Sequence, residues 1–247
     1  MRYLRGVVLF TLTMLFLLYV YLLALLVLKR KDASGRARLV HDHAVFMLKL
    51  LGLPFRVEGE PCEGGALFVS NHVSFMDIPS LDAMRFGRFI AKKEIASWPL
   101  IGTITTGVDS LYIDRARARS IVGVNAAIAQ SLKENRAVFV FAEGKTGNGT
   151  SLLPIRSNLL QPAIDAAKPV QPVAICYTYR GKLTDRASYC DRNIFSCLWE
   201  IVSTPGIEVT VKVCPALETR GTDRHELAKK VSASISAAMG VSDPMGA

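Results

Sequence analysis

The stretch "ALFVSNHVSFMDIPS" (residues 66–80) sets the fold class and points to the chemistry. It opens with an apolar run of strand-forming residues, passes through Asn71-His72, and meets a carboxylate at Asp77. A strand leaving the core delivers His72 just past its C-terminal end, where open α/β sheets carry their sites. On one regular helix, a five-residue separation would turn His72 and Asp77 about 140° apart. A turn after the strand, with a helix beginning near Met76, would let the carboxylate reach back to the ring. Asp77 would then fix the tautomer and stabilise the imidazolium, leaving the second ring nitrogen of His72 free to take a proton. General-base help of this kind contributes roughly 10²–10⁴ in rate. The spacing itself is common, and two polar residues closing a strand would look the same.

Working outward, short apolar runs alternate with helical patterns. Strands are expected at 66–70, 88–92, 110–113, 137–142, 172–177 and 207–214, the fifth beginning at a break made by Pro172. Helices are expected at 115–135, 158–168 and 224–239. Strands interleaved with helices predict an α/β domain, with a mixed, largely parallel sheet flanked by helices. No internal repeat or low-complexity linker interrupts it.

Upstream, Val7 to Leu28 is a run of 22 residues without a charge, Gly or Pro. At about 1.5 Å per residue, such a helix covers the roughly 30 Å hydrocarbon core of a bilayer. A cleaved signal would have a shorter apolar region followed by small residues. Here the run ends in "KRK", which favours an N-terminal hydrophobic membrane helix. Arg2 and Arg5 precede it, and Lys29, Arg30, Lys31, Arg36 and Arg38 follow, so the rest of the chain is expected on the cytoplasmic face. A helix that enters one leaflet and returns would satisfy the same charges. "LVHDHAVFMLKLLGL" (39–53) reads as an amphipathic helix beside the anchor. Its His41 and His43 have no third ligand in view and read as solvated or interfacial. The expected division is an anchor over 1–54 and a catalytic-size domain over 55–247.

The net charge of +9 fits an anionic membrane surface, where each basic side chain contributes about 1 kcal/mol. Nucleic acid is disfavoured as a partner: zinc-finger spacing, an RNP-like aromatic motif and a long basic run are all missing. Five cysteines, widely spaced and without C-x-x-C, suit reduced thiols rather than a disulfide frame or zinc site.

Three further constellations lie at strand ends. "FVFAEGKTGNGTSLLPIRSNLLQPA" places Glu143-Gly144 after a strand and opens a Gly-rich turn able to present N–H groups to an anion or headgroup. "LYIDRAR" places Asp114 and Arg115 likewise, where a guanidinium could hold a phosphate or carboxylate. "VQPVAICY" offers another short strand. Each also has an ordinary reading as connection or cap. Ser74 is not part of G-x-S-x-G, so a serine nucleophile elbow is absent and direct transfer to a substrate hydroxyl is favoured.

In this order the blocks resemble the glycerolipid acyltransferase family that includes 1-acyl-sn-glycerol-3-phosphate acyltransferases, from about Phe55 to Tyr177. The matching residues are Asn71-His72-x₄-Asp77, Ala91-Lys92-Lys93-Glu94 through Tyr112-Ile113-Asp114-Arg115, Phe141-Ala142-Glu143-Gly144, and Val170 to Ala174. The resemblance implies His72 as base, Asp77 as its partner, and Arg115, Glu143, Gly144 and Lys93 positioning the acceptor. It implies a thioester of acyl carrier protein or coenzyme A as donor, a lysolipid as acceptor, and no metal or bound cofactor. Phosphatidic-acid-forming members usually read E-G-T-R, whereas this chain reads Glu143-Gly144-Lys145-Thr146. "GNGTSLLPIRSNLL" and "EIASWPLIG" look more like the lyso-ornithine lipid O-acyltransferase branch. A membrane thioesterase and a non-catalytic lipid-binding protein are the readings from other classes.

Overall fold

The computed structural model describes residues 2–114 and 118–246. Helices α1 (Arg2–Leu26) and α2 (Ala33–Leu50) precede strand β1 (Phe55–Glu58). Strand β2 (Leu67–Ser70) leads into α3 (Asp77–Met84), and β3 (Arg88–Lys92) into α4 (Ile101–Gly107). Then β4 (Leu111–Ile113) precedes α5 (Ala118–Lys133), and β5 (Val138–Phe141) precedes α6 (Gln161–Asp165). The chain ends with β6 (Val170–Tyr179), β7 (Lys182–Leu183), α7 (Ile194–Ser203), β8 (Ile207–Val213) and α8 (Arg224–Met239).

The strand order is β1-β8-β6-β2-β5-β3-β4, with β7 folded back on β6. Pairing is parallel throughout except where β6 meets β7 and β8, so the sheet is mixed and largely parallel. Central strands read as continuous apolar runs because both faces are covered. Phe68 and Phe139 point to one face, against Leu81, Leu48, Leu198 and Ile201. Leu67, Val69, Val138 and Val140 point to the other, against Ile128, Leu132, Val231 and Ile235.

The structure redraws several expected boundaries. Pro172 does not break its strand, because β6 runs from Val170 through it to Tyr179. Pairing with β8 ends at Val173↔Val213, so the N–H that proline lacks falls beyond the ladder, and the Pro172 carbonyl still accepts from Cys214 N at 3.0 Å. The amphipathic helix starts at Ala33 rather than residue 39, because the Asp32 carboxylate caps it through Gly35 N at 3.0 Å. It stops before Gly52, whose φ of +66° ends the helical run. The helix expected over 158–168 is a 3₁₀ turn at Ser157–Leu159 followed by the short α6. Helices α4 and α7 and the strands β1 and β7 add to the elements expected from sequence.

α1 docks along one side only. Arg2 Nε donates to Ser203 O at 2.9 Å and an Arg5 guanidinium nitrogen to Val202 O at 2.6 Å, so both arginines cap the end of α7. Gly6 lies under Trp199, where a Cβ would come within 3.0 Å of the indole. His43 of α2 stacks on Phe16 and Tyr19 of α1, which fixes that histidine at the helix–helix contact.

Candidate active site

β2 ends at Ser70 between β5 and β6, and the next residue extends its pairing by a side chain. Asn71 Nδ2 donates to Ile175 O at 2.9 Å, and Ile175 N donates back to Asn71 Oδ1 at 2.8 Å. This two-way amide bond fixes where the chain leaves the sheet, and His72 follows directly.

The chain from 72 to 77 folds around one carboxylate. Asp77 Oδ2 accepts from His72 Nδ1 at 2.8 Å, Val73 N at 2.6 Å and Ser74 N at 2.9 Å. Tyr177 donates its hydroxyl to Oδ1 at 2.8 Å from β6. Asp77 is wholly buried at the first residue of α3, so these donors and the helix N-terminus replace its hydration. The turn and the helix start anticipated near Met76 are both present. Burial, with the Asp77 charge, holds the Tyr177 phenol well above its ordinary value, which keeps it a donor.

With Nδ1 committed to Asp77, Nε2 is the basic nitrogen. Phe141 stacks on the imidazole at 4.1 Å between centroids and 19° between planes. The side chain is 16% exposed, so it is reachable from one side. The Tyr189 hydroxyl lies 2.8 Å from Nε2.

Glu143 sits directly behind His72. Its Oε2 accepts from His72 N at 2.5 Å and its Oε1 from Leu153 N at 2.8 Å. Burial pushes this carboxyl up to about 7, against the pull of the two N–H groups. Both oxygens thus serve backbone, and Glu143 ties the loop after β5 to His72. Gly147 N completes the tie with a 2.7 Å bond to His72 O. Gly144 takes a left-handed φ of +79° and lies against Arg156, whose Nε would be 2.5 Å from a Cβ there. Lys145 is exposed, and Thr146 is half-buried near Tyr189.

Lys93 begins the 3₁₀ turn after β3 and is exposed. Arg115 lies outside the described residues. Sequence reasoning missed Tyr177, Tyr189 and Arg156, and gave Phe141 no role. For Tyr177 a signal existed: a phenol ending a buried apolar run needs a polar partner. Tyr189, in "RASYCDRN", carried none.

The geometry suits removal of a proton from a hydroxyl placed at Nε2. A family profile described as Acyltransferase matches residues 54–176. The chain is 38% identical over 208 residues to a 1-acyl-sn-glycerol-3-phosphate acyltransferase of Neisseria meningitidis serogroup B, covering 83% of this chain and 82% of that relative. It is 34% identical over 190 residues to a lyso-ornithine lipid O-acyltransferase of Pseudomonas aeruginosa, covering 76% and 73%. The fold is similar to a crystal structure of the 1-acyl-sn-glycerophosphate acyltransferase from Thermotoga maritima, with TM-score 0.72, 22% identity and 97% of each chain covered. The matched profile includes His72, Asp77 and Glu143, and with relatives this similar along most of their length the chain belongs to the acyltransferase family.

Proposed function

We propose that this enzyme transfers a fatty acyl group from a thioester of acyl carrier protein or coenzyme A to the free hydroxyl of a lysolipid, with lyso-ornithine lipid as acceptor. The observation that carries the reaction is the buried Asp77 holding His72 Nδ1, which leaves Nε2 as the only basic atom of that ring. Nε2 takes the acceptor's hydroxyl proton, the oxygen attacks the thioester carbonyl, and the C–S bond breaks. The imidazolium, steadied by Asp77, returns the proton to the departing thiolate. This chemistry calls on no metal or bound cofactor.

The membrane side of the reading rests on α1, which is long and apolar enough to cross a bilayer by length and composition. Residues 1–54 would then hold the enzyme on the membrane, with 55–247 carrying the chemistry on the cytoplasmic face. The anionic lipid surface is the partner for its excess positive charge. A lysolipid would reach His72 from the bilayer, with the loop at Gly144–Thr146 and Arg115 and Lys93 towards its headgroup.

The choice of acceptor rests on Thr146, because a hydroxyl cannot make the forked ionic contact that an arginine makes to a phosphate monoester. Arg156 beside Gly144 favours a second reading, lysophosphatidic acid, since it brings a guanidinium to the same loop. The deciding experiment supplies labelled acyl carrier protein and a panel of lysolipids to the purified full chain, with products separated by lipid chromatography. Labelled ornithine lipid is the expected product. Free fatty acid alone would mean a thioesterase, and preferential phosphatidic acid would select the second reading.

A further inference from the structure

The nitrogen that must accept the substrate's proton already has a partner. Tyr189 Oη lies 2.8 Å from His72 Nε2, the distance at which an acceptor hydroxyl would have to sit. The rings meet edge to face, with centroids 5.7 Å apart at 79°. Thr146 lies near enough to the same phenol to offset part of the effect of burial on it. Burial holds the phenol above its ordinary value, so it keeps its proton at neutral pH.

The backbone around Tyr189 is pinned. Ala187 and Ser188 are buried, Ser188 Oγ donates to Gly147 O at 2.9 Å, and Cys190 N donates to Ser188 Oγ at 3.0 Å. Cys197 Sγ donates to Ala187 O at 3.0 Å from α7. With the loop held, displacement of the phenol would come from rotation of the half-buried tyrosine side chain.

We propose that Tyr189 is a specificity-determining gate on the base, occupying the seat of the attacking hydroxyl and withholding Nε2 from water until a lipid acceptor displaces it. This rests on the reading of His72 as the base. A lysolipid brings a chain and a headgroup to the competition for Nε2, whereas water brings a single hydrogen bond. The reaction suppressed is hydrolysis: water would give its proton to Nε2, its oxygen would bond to the acyl carbon, and the C–S bond would break to release fatty acid and thiol. A neutral hydrogen bond lost from this seat corresponds to roughly three- to ten-fold in occupancy by water.

The test uses the full chain in detergent micelles with labelled acyl carrier protein and no lysolipid. Tyr189→Phe keeps the ring and removes the hydroxyl, and it should raise free fatty acid release roughly three- to ten-fold. Reaction of His72 with diethyl pyrocarbonate, followed by peptide mass analysis, should accelerate in the same variant. Tyr189→Leu should change both in the same direction, which covers a phenylalanine variant that fails to fold. The double variant Tyr189→Phe, His72→Gln should release no fatty acid. Unchanged hydrolysis with transfer still dependent on His72 would overturn the gate alone. A lower rate of transfer without increased hydrolysis would overturn it too, making the phenol a donor to the reacting thioester. Transfer surviving His72→Gln would overturn the reading of the base and the gate with it.

Discussion

Two apolar stretches of this chain, Leu67–Ser70 and Arg2–Leu26, meet opposite fates. Every residue of the strand is buried, because β5 and β6 flank it and helices cover both its faces. The helix buries only Gly6, Thr13 and Ala24. Leu4, Leu15 and Leu26 are 69%, 59% and 60% exposed. The buried residues of α1 are small because they mark where α7 and α4 come close, Gly6 under Trp199 and Ala24 beside Gly107. Leu9, Phe10 and Met14 pack partly against the core, while Leu4, Leu15 and Leu26 point away from it. Apolar composition states that a surface must leave water, and the neighbouring elements decide what covers it. For β2 the cover is the protein, and the strand delivers the rigid turn that carries His72 and Asp77; for the outer face of α1 the proposed cover is lipid.

Damage at the strand end should cost the most. His72→Ala removes the proposed base and should lower the rate of acyl transfer roughly 10²–10⁴-fold, with membrane binding unchanged. Asp77→Asn should approach the same loss, because its amide cannot accept all the hydrogen bonds now made to Oδ1 and Oδ2 and the imidazole loses its charge partner. Single-turnover assays on folded variants check both. Near-normal turnover by either would separate β2 from the chemistry.

The converse experiment changes the helix and spares the site. Deleting α1 would also uncover Trp199 and the end of α7, so a substitution on the outer face is cleaner. A lysine at the centre of a spanning helix costs about 2.5–3.5 kcal/mol. Leu15→Lys should therefore shift the protein towards the soluble fraction by roughly 10²-fold. Activity on detergent-dispersed acceptor should persist. Undiminished membrane flotation would mean that α2 or the basic surface holds the enzyme instead.

The same contrast explains what was legible in the sequence. β2, β5 and β6 could be recognised because burial on both faces leaves apolar runs, and His72 and Asp77 because they share one local turn. Tyr177 and Tyr189 reach that turn from 100 and 117 residues away, through the placement of β6 beside β2 and the loop that follows. Sequence spacing carries no record of that placement. β1 stayed hidden because it is a four-residue edge strand with its last three residues exposed, so it shows no apolar run. Glu143 was expected to position the acceptor, and its bonds to His72 N and Leu153 N follow from a loop path that residue types do not encode.

A smaller effect is expected where the rigid turn meets the exposed loop. Thr146→Arg would supply a forked partner for a phosphate, and charge-assisted bonds contribute about 1.5–3 kcal/mol. The proposed preference for lyso-ornithine lipid over lysophosphatidic acid in kcat/KM should fall roughly ten-fold. Competition between the two lysolipids at equal surface concentration measures it. The variant would also remove the Thr146 hydroxyl beside Tyr189, so hydrolysis is measured in parallel. An unmodified enzyme that already prefers lysophosphatidic acid would place the phosphate on Arg156 or Lys145.

The smallest effect separates the two stretches by pH. Burial raises the Glu143 carboxyl from 4.5 to about 7, so the folded protein binds that proton more tightly than the unfolded chain does. The resulting stabilisation is complete below about 4.5 and is lost as pH rises to about 7. Glu143→Gln imitates the protonated side chain, keeping one acceptor for the two N–H donors, and cannot titrate. Thermal unfolding of the wild type should therefore move to lower temperature across this window, and the slope should be shallower in the variant. α1 carries no carboxylate or histidine, so flotation with neutral-lipid vesicles should stay level over the same range. Equal slopes in the two proteins would assign the pH response to another group and leave Glu143 ionised throughout, held by His72 N and Leu153 N.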